Sequence, residues 1–213
     1  DNRSTMDIDT AIRKAEFTEE NIIKMIKEII NIDVDDNVKF KIEKIEPIRD
    51  EDEYGGLRIT INFMLENIKD KFHIDLATGD PIYPGPDDYK YESLIENEIY
   101  KVWAYNLETV LAEKIETILS KLETSSRMKD YYDIYLIYKF KFDKINKDKF
   151  KGAIERTFRK RKFNDNLIRN LNIVKESSIL KNKWLSYSRK NSYARKIEFE
   201  ETLKCLEQFV NII

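Results

Sequence analysis

Two aspartates stand one residue apart in Thr5-Met6-Asp7-Ile8-Asp9-Thr10-Ala11-Ile12, a stretch with the alternation of a strand. In extended backbone the side chains alternate faces, so Asp7 and Asp9 project to the same side. Two carboxylates so placed repel unless something positive lies between them. Mg²⁺ takes oxygen ligands, often only one or two protein carboxylates with water and substrate phosphates completing its shell. The pair therefore suits nucleotide-phosphate chemistry, and it equally suits the solvent face of an edge strand. Asp33-Val34-Asp35-Asp36 repeats the spacing, but it follows the apolar run Ile22, Ile23, Met25, Ile26, Ile29 and Ile30 and reads as the turn after a helix. Only the first copy has strand on both sides.

Three other positions carry charge where the pattern makes charge costly. If Phe72, Ile74 and Leu76 face a core, His73, Asp75 and Ala77 face the other way, which puts one carboxylate in mid-strand. Asp75 on a strand next to Asp7 and Asp9 would complete a cation site; otherwise it is an exposed strand residue. His73 is a polar surface residue or a partner of a ligand rather than a catalyst. Lys114 lies inside the helical stripe Leu107, Val110, Leu111, Ile115, Ile118, Leu119 and Leu122, where it must snorkel to solvent or meet an anion. Arg127 to Tyr138 is apolar or aromatic nearly all round after Lys129, yet it holds Asp130 and Asp133 on one face. Buried carboxylates need a partner, and Lys114, across the Thr124-Ser125-Ser126 turn, could neutralise one of them. An internal salt bridge and a catalytic role explain that cluster equally well.

The elements that must position these residues alternate in the first half and turn helical in the second. After a strand over 5–12, Thr18 caps a helix that runs to about Asn31. Val38, Phe40 and Ile42 mark a strand whose phase slips near Lys44, which predicts a bulge there or an end before Pro47. Residues 49–56 form an acidic loop. Leu57, Ile59, Ile61, Phe63 and Leu65 give the cleanest strand, and a turn at Lys69-Asp70 leads back into Phe72, Ile74 and Leu76 as an antiparallel hairpin. Pieces around Tyr89 to Ile95 and Ile99 to Tyr105 are expected to be the last strands of the same sheet. From Leu107 the period is helical. This predicts an α+β domain over 1–106 and a helical domain over 107–213.

Composition excludes several classes. The 213 residues include one cysteine, Cys205, and one histidine, so an internal disulfide is impossible and a zinc site of the usual thiolate or imidazole type is ruled out. No apolar run approaches the roughly 20 residues of a spanning helix, and a cytoplasmic protein with no membrane contact is expected. The net charge of −2 hides a division. Residues 1–143 carry 20 Lys and Arg against 32 Asp and Glu, while residues 144–213 carry 18 against 8. The basic part includes Phe158-Arg159-Lys160-Arg161-Lys162-Phe163, then Lys181, Lys183, Arg189, Lys190, Arg195 and Lys196 among Trp184, Tyr187 and Tyr193. Clustered cations with stackable aromatics suit a nucleic acid, and the same residues suit solvated helix faces.

Four blocks, Arg3-Ser4-Thr5-Met6-Asp7-Ile8-Asp9, His73-Ile74-Asp75-Leu76, Leu107-Glu108-Thr109-Val110-Leu111-Ala112-Glu113-Lys114 and Arg127-Met128-Lys129-Asp130-Tyr131-Tyr132-Asp133, resemble in order and spacing the AbiEii/AbiGii toxin family of nucleotidyltransferases. The resemblance covers roughly residues 1–140. It implies a DNA polymerase β-like nucleotidyltransferase fold, an α+β palm with a mixed or antiparallel sheet followed by a helical part. It implies a toxin of an abortive-infection or toxin–antitoxin system that moves a nucleotide from an NTP to an acceptor, tRNA ends among them, and that has a cognate antitoxin. Carried over, Asp7, Asp9 and Asp75 would hold Mg²⁺, with Asp75 also a candidate base. Lys114 would bind phosphates and Asp130 would lie at the catalytic centre. Arg3, Ser4, Lys129 and Asp133 would line the nucleotide pocket. The resembled fold also places a Gly-Gly or Gly-Ser turn before the Asp-x-Asp strand, upstream of Asp1. A polypeptide starting at Asp1 would lack it, and weak NTP binding is expected of such a chain. A catalytically inactive RNA- or antitoxin-binding protein of the same fold is the alternative.

Overall fold

The hydrophobic alternation of the first eighty residues builds a four-stranded sheet of order β1-β4-β3-β2, with β1 at Asp7–Ala11, β2 at Val38–Ile48, β3 at Gly56–Leu65 and β4 at Ile68–Ala77. The computed structural model describes residues 7–12, 16–48, 56–93 and 98–213, and for Asp7 the backbone only. β2–β3 and β3–β4 are antiparallel, whereas β1 lies parallel to β4. One face carries Leu57, Ile59, Ile61, Phe72, Ile74 and Leu76, and helix α1, Glu19–Ile30, covers it with Ile22 and Ile26. Thr18 caps α1, its hydroxyl accepting from the Asn21 N–H at 3.3 Å, and Asn31 closes it.

One local expectation needs correction, the position of the hairpin turn. The hairpin turns at Glu66 and Asn67, with Glu66 in left-handed backbone (φ 52°), and β4 already begins at Ile68. Lys69 and Asp70 lie within the strand. Of the two outcomes expected near Lys44, the bulge is the one that forms, and β2 does not stop before Pro47. The register shifts between Ile42 and Lys44, and the strand continues through Pro47, opposite Leu57, to Ile48. β2 is an edge strand, where the missing N–H of proline can face away from the ladder. Most of the acidic loop, residues 49–55, lies outside the described residues.

The chain divides into two compact units, residues 3–80 and a second unit built from 81–213. In the second, β5 (Asp87–Glu92) and β6 (Ile99–Ala104) form a separate two-stranded antiparallel hairpin and do not extend the sheet. Helices follow: α2 (Leu107–Lys121), α3 (Met128–Lys141), α4 (Lys147–Lys160), α5 (Leu167–Glu176), α6 (Ser178–Lys190) and α7 (Phe199–Val210). Leu111, Ala112, Ile115, Ile118 and Leu119 of α2 are buried at the centre of this bundle. α3 packs on α7 through Tyr131 against Phe199 and Tyr138 against Phe209.

Candidate functional site

The polar face of the sheet is ordered by register. Asp9 of β1 stands directly beside Asp75 of β4, Asp75 beside Arg58 of β3, and Arg58 beside Glu46 of β2. One step along, Asp7 is paired in the backbone ladder with His73, and His73 with Thr60. Adjacent strands lie about 4.8 Å apart, so Asp9 and Asp75 are neighbours across a parallel ladder. Asp75 is half-buried and Asp9 exposed. Arg58 grips Asp75 with a fork: Nε donates to Oδ1 at 2.7 Å and a terminal nitrogen to Oδ2 at 2.6 Å. Thr60 Oγ1 lies 3.1 Å from Nδ1 of His73, which makes the histidine a polar neighbour of the row, as the alternation predicts. Lys44 sits 2.8 Å from Glu46, and its hydrogen bond is the main cause that holds the Glu46 carboxyl below its ordinary value.

The donor set suits a hard divalent cation. Mg²⁺ needs few protein ligands, and Asp9 with Asp75 offers two carboxylates on adjacent strands. Among the described residues no three His, Cys, Asp or Glu side chains gather closely enough to hold a metal. The Asp7 side chain, Arg3 and Ser4 lie outside the described residues. Cys205 is buried, and burial pushes its thiol up, away from reactivity.

A second constellation lies within the helical unit. Lys114 of α2 donates to both acidic residues of α3, at 3.1 Å to Asp130 Oδ1 and 2.7 Å to Asp133 Oδ2. It therefore meets two anions where one was expected. Arg127 completes the cluster, with Nε 2.7 Å from Asp130 Oδ2 and a terminal nitrogen 3.3 Å from Oδ1. Asp130 has no exposure, while Arg127 is half exposed. Burial is the largest influence on Asp130 and opposes its charge. The hydrogen bonds and charges of Arg127 and Lys114 together outweigh it, so the carboxyl is held below its ordinary value. Asp130 also sits in the first turn of α3, where the helix dipole favours an anion. Lys129, between these residues, is exposed. Tyr131 is pushed far above the usual phenol range by burial and then by the charge of Asp130.

The basic segment is partly spent on structure. Arg161 turns inward to Glu116 at 2.9 Å, and Lys183 donates to the carbonyls of Glu123 and Ser125 at 2.6 and 2.9 Å. Trp184 is buried, its Nε1 donating to the Ile197 carbonyl at 2.9 Å. Tyr187 and Tyr193 join hydroxyls at 3.0 Å and stack into the same cluster. Trp184 is core, and Tyr187 and Tyr193, partly buried, pack against it. Lys162, Arg189, Lys190, Arg195 and Lys196 remain exposed.

Arg58 and Arg127 are the two functional candidates that reading the sequence did not single out. Each is visible as a cation one strand or one helical turn from a predicted carboxylate, once the register is known.

Among the described residues, a mixed sheet backed by a helix and followed in the chain by a helical bundle makes this an α+β protein. Among solved structures, JHP933 from Helicobacter pylori shares the fold, with a TM-score of 0.55 at 15% identity over 99% of this chain and 76% of that one. A second H. pylori structure, described as a candidate nucleotidyltransferase, aligns at a TM-score of 0.48 and 16% identity over 99% of this chain and 78% of that one. No curated protein matches the sequence. Residues 1–205 match the family described as the nucleotidyl transferase AbiEii toxin of type IV toxin–antitoxin systems, and the chain belongs to that family. Among the described residues no helix is long and apolar enough to cross a membrane.

Proposed function

We propose that this protein is an Mg²⁺-dependent nucleotidyltransferase that moves a nucleotide from an NTP to an RNA acceptor such as a tRNA, as the toxin partner of a cognate antitoxin in abortive infection. The observation that carries this reading is the register of Asp9 beside Asp75 on parallel strands, on the polar face of a sheet in a chain of this family. Asp9 and Asp75, with Asp7, would hold the metal, which when bound supplies positive charge at the phosphoryl oxygens that gain charge during transfer. In the sequence resemblance Asp75 is also a candidate base for the acceptor hydroxyl, a role for which it must release the Arg58 fork, and Arg3 and Ser4 take the role of phosphate contacts. The same resemblance gives Lys114 the role of a phosphate ligand, and to serve it Lys114 must give up part of its bond to Asp130 or Asp133. Lys129, exposed at the start of α3, is free of that constraint and can meet an anion directly.

Incubation of the full chain with each labelled NTP and total tRNA tests the reading. Label is expected to move to RNA with wild-type protein, to need Mg²⁺, and to fall on the order of 100-fold or more in Asp9→Ala. Transfer undiminished in Asp9→Ala and Lys114→Ala sinks it. The engagement of Lys114 by two carboxylates favours a second reading, a catalytically silent protein that binds RNA or the antitoxin. Binding of RNA without any transfer, under all four NTPs, selects that reading.

A further inference from the structure

Asp75 is approached by opposite charges from its two neighbouring strands. Asp9 stands beside it on β1 and Arg58 on β3, so acid, acid and base run in one row across the sheet. Two carboxylates on adjacent strands repel, and the row is stable only with positive charge next to them. The Arg58 guanidinium supplies that charge at Asp75 in a two-bond fork of 2.6 and 2.7 Å, and Glu46 follows it in the row, itself bonded to Lys44. Arg58 is 38% exposed against 16% for Asp75, so the cation is more open to solvent than the carboxylate it holds.

We propose that Arg58 is a built-in counter-ion that stands in for the divalent cation at Asp75, so that free metal binds this face weakly and binds well only together with a polyphosphate. The inference rests on the nucleotidyl-transfer reading for its purpose, but its geometry is that of the sheet alone. A guanidinium keeps its charge at every physiological pH, and its planar fork matches phosphate as well as carboxylate. An incoming cation at Asp9 and Asp75 meets a like charge a few ångströms away, which costs several-fold in affinity even where the effective dielectric is high. A polyphosphate arriving with the metal offers the guanidinium a new anion, and the repulsion is lost. Arg58 is thus a positioning residue that makes the site respond to the metal–nucleotide complex rather than to the metal.

The test uses the full chain without nucleotide and Mn²⁺ as probe, with binding read by water-proton relaxation. Arg58→Gln is expected to bind Mn²⁺ about tenfold more tightly than wild type. Arg58→Lys, which keeps the charge and loses the fork, stays within about twofold of wild type by the same electrostatics. Adding Asp75→Asn to Arg58→Gln abolishes the gain. Should Arg58→Gln not fold, Arg58→Met keeps the length of the stem and carries the same expectation. Unchanged or weaker Mn²⁺ binding on loss of the charge overturns the proposal, as does an equal gain in Arg58→Lys. Nucleotide transfer by wild type is scored separately. Transfer without a gain in Arg58→Gln removes the counter-ion and leaves the enzyme, whereas a gain without any transfer keeps the counter-ion and removes the enzyme.

Discussion

The Lys114 amine lies 3.1 Å from a carboxylate oxygen of Asp130, a residue with no solvent exposure, although the lysine projects from the apolar stripe of a different helix. The pair joins α2 to α3, and among the described residues Arg127 and Asp133 join it in a cluster of two cations and two carboxylates. A buried carboxylate tolerated on these terms is stable only while its partners remain.

Lys114→Met is therefore expected to cost about 3 kcal/mol of folding stability, because it leaves Asp130 short of one partner and Asp133 of another. Arg127→Ala, which removes a half-exposed partner, is expected to cost about 1 kcal/mol. Urea unfolding of both variants checks the order. Equal losses would show that the burial of Lys114 has no energetic weight. The result also bears on transfer assays, since activity lost in Lys114→Met counts as catalytic only where the variant is folded.

Acid should expose the same cluster. Asp130 is held below the ordinary carboxyl value of 3.8, so the unfolded chain takes up its proton first as pH falls. Its stabilising contribution is complete above that value and is lost as pH drops through the lower folded value. The stability difference between wild type and Asp130→Asn, followed by urea midpoints from pH 6 to 2.5, should be constant at first and narrow below pH 4. In Arg127→Ala the loss begins at the same pH, set by the unfolded chain, but is smaller, because a hydrogen bond and a charge that favour the ionised form are gone.

What the sequence shows of this site depends on how local the signal is. The Asp7-Ile8-Asp9 strand, the Thr18 cap and the misplaced Lys114 are legible because alternation and helical period act within a few residues. Arg58 was hidden by register. A turn at Lys69-Asp70 would set Asp75 opposite Met64, whereas the turn at Glu66 and Asn67 sets it opposite Arg58. Glu66 adopts left-handed backbone that a residue of its type seldom takes, so no Gly signal marked the turn. The β5–β6 hairpin misled for a related reason: its aromatic alternation resembles that of a sheet strand, yet Tyr89, Tyr91, Tyr100 and Trp103 are exposed. Trp184 failed in the opposite direction. Lysines around an aromatic read as a binding surface until packing shows that the ring is the core of the bundle.

Gly152 offers a test of packing inside the helical unit. It lies in α4 beneath the ring of Tyr83, and Arg156, one turn on, covers the same ring at 3.6 Å from its centroid. Replacing glycine by alanine within a helix ordinarily stabilises by about 1 kcal/mol. Here a Cβ would fall 3.0 Å or less from three atoms of the Tyr83 ring. The sign should reverse, with Gly152→Ala destabilising by about 1–3 kcal/mol as overpacking does. Gly152→Ala combined with Tyr83→Leu should recover most of the loss, which thermal unfolding would show.

Contact with RNA, if the acceptor is RNA, has to come from cations that are not already committed. Arg161 and Lys183 are turned into the bundle, and Arg159 is paired with Glu155, so the run at 158–163 offers less charge than its sequence suggests. Arg189, Lys190, Arg195 and Lys196, gathered around the connection from α6 to α7, are exposed. Each phosphate they neutralise should contribute about 0.7 to the slope of log affinity against log salt on a single strand, and about 0.9 on a duplex. Changing all four to Gln should lower tRNA affinity at 50 mM salt and flatten that slope by about 2 to 4 units, with folding unchanged. Trp184→Ala should do the reverse, costing about 3–5 kcal/mol of stability as a buried ring. A quadruple variant with unchanged slope would remove this surface from acceptor binding, and a Trp184→Ala protein that stays fully folded but loses RNA would return the ring to the surface.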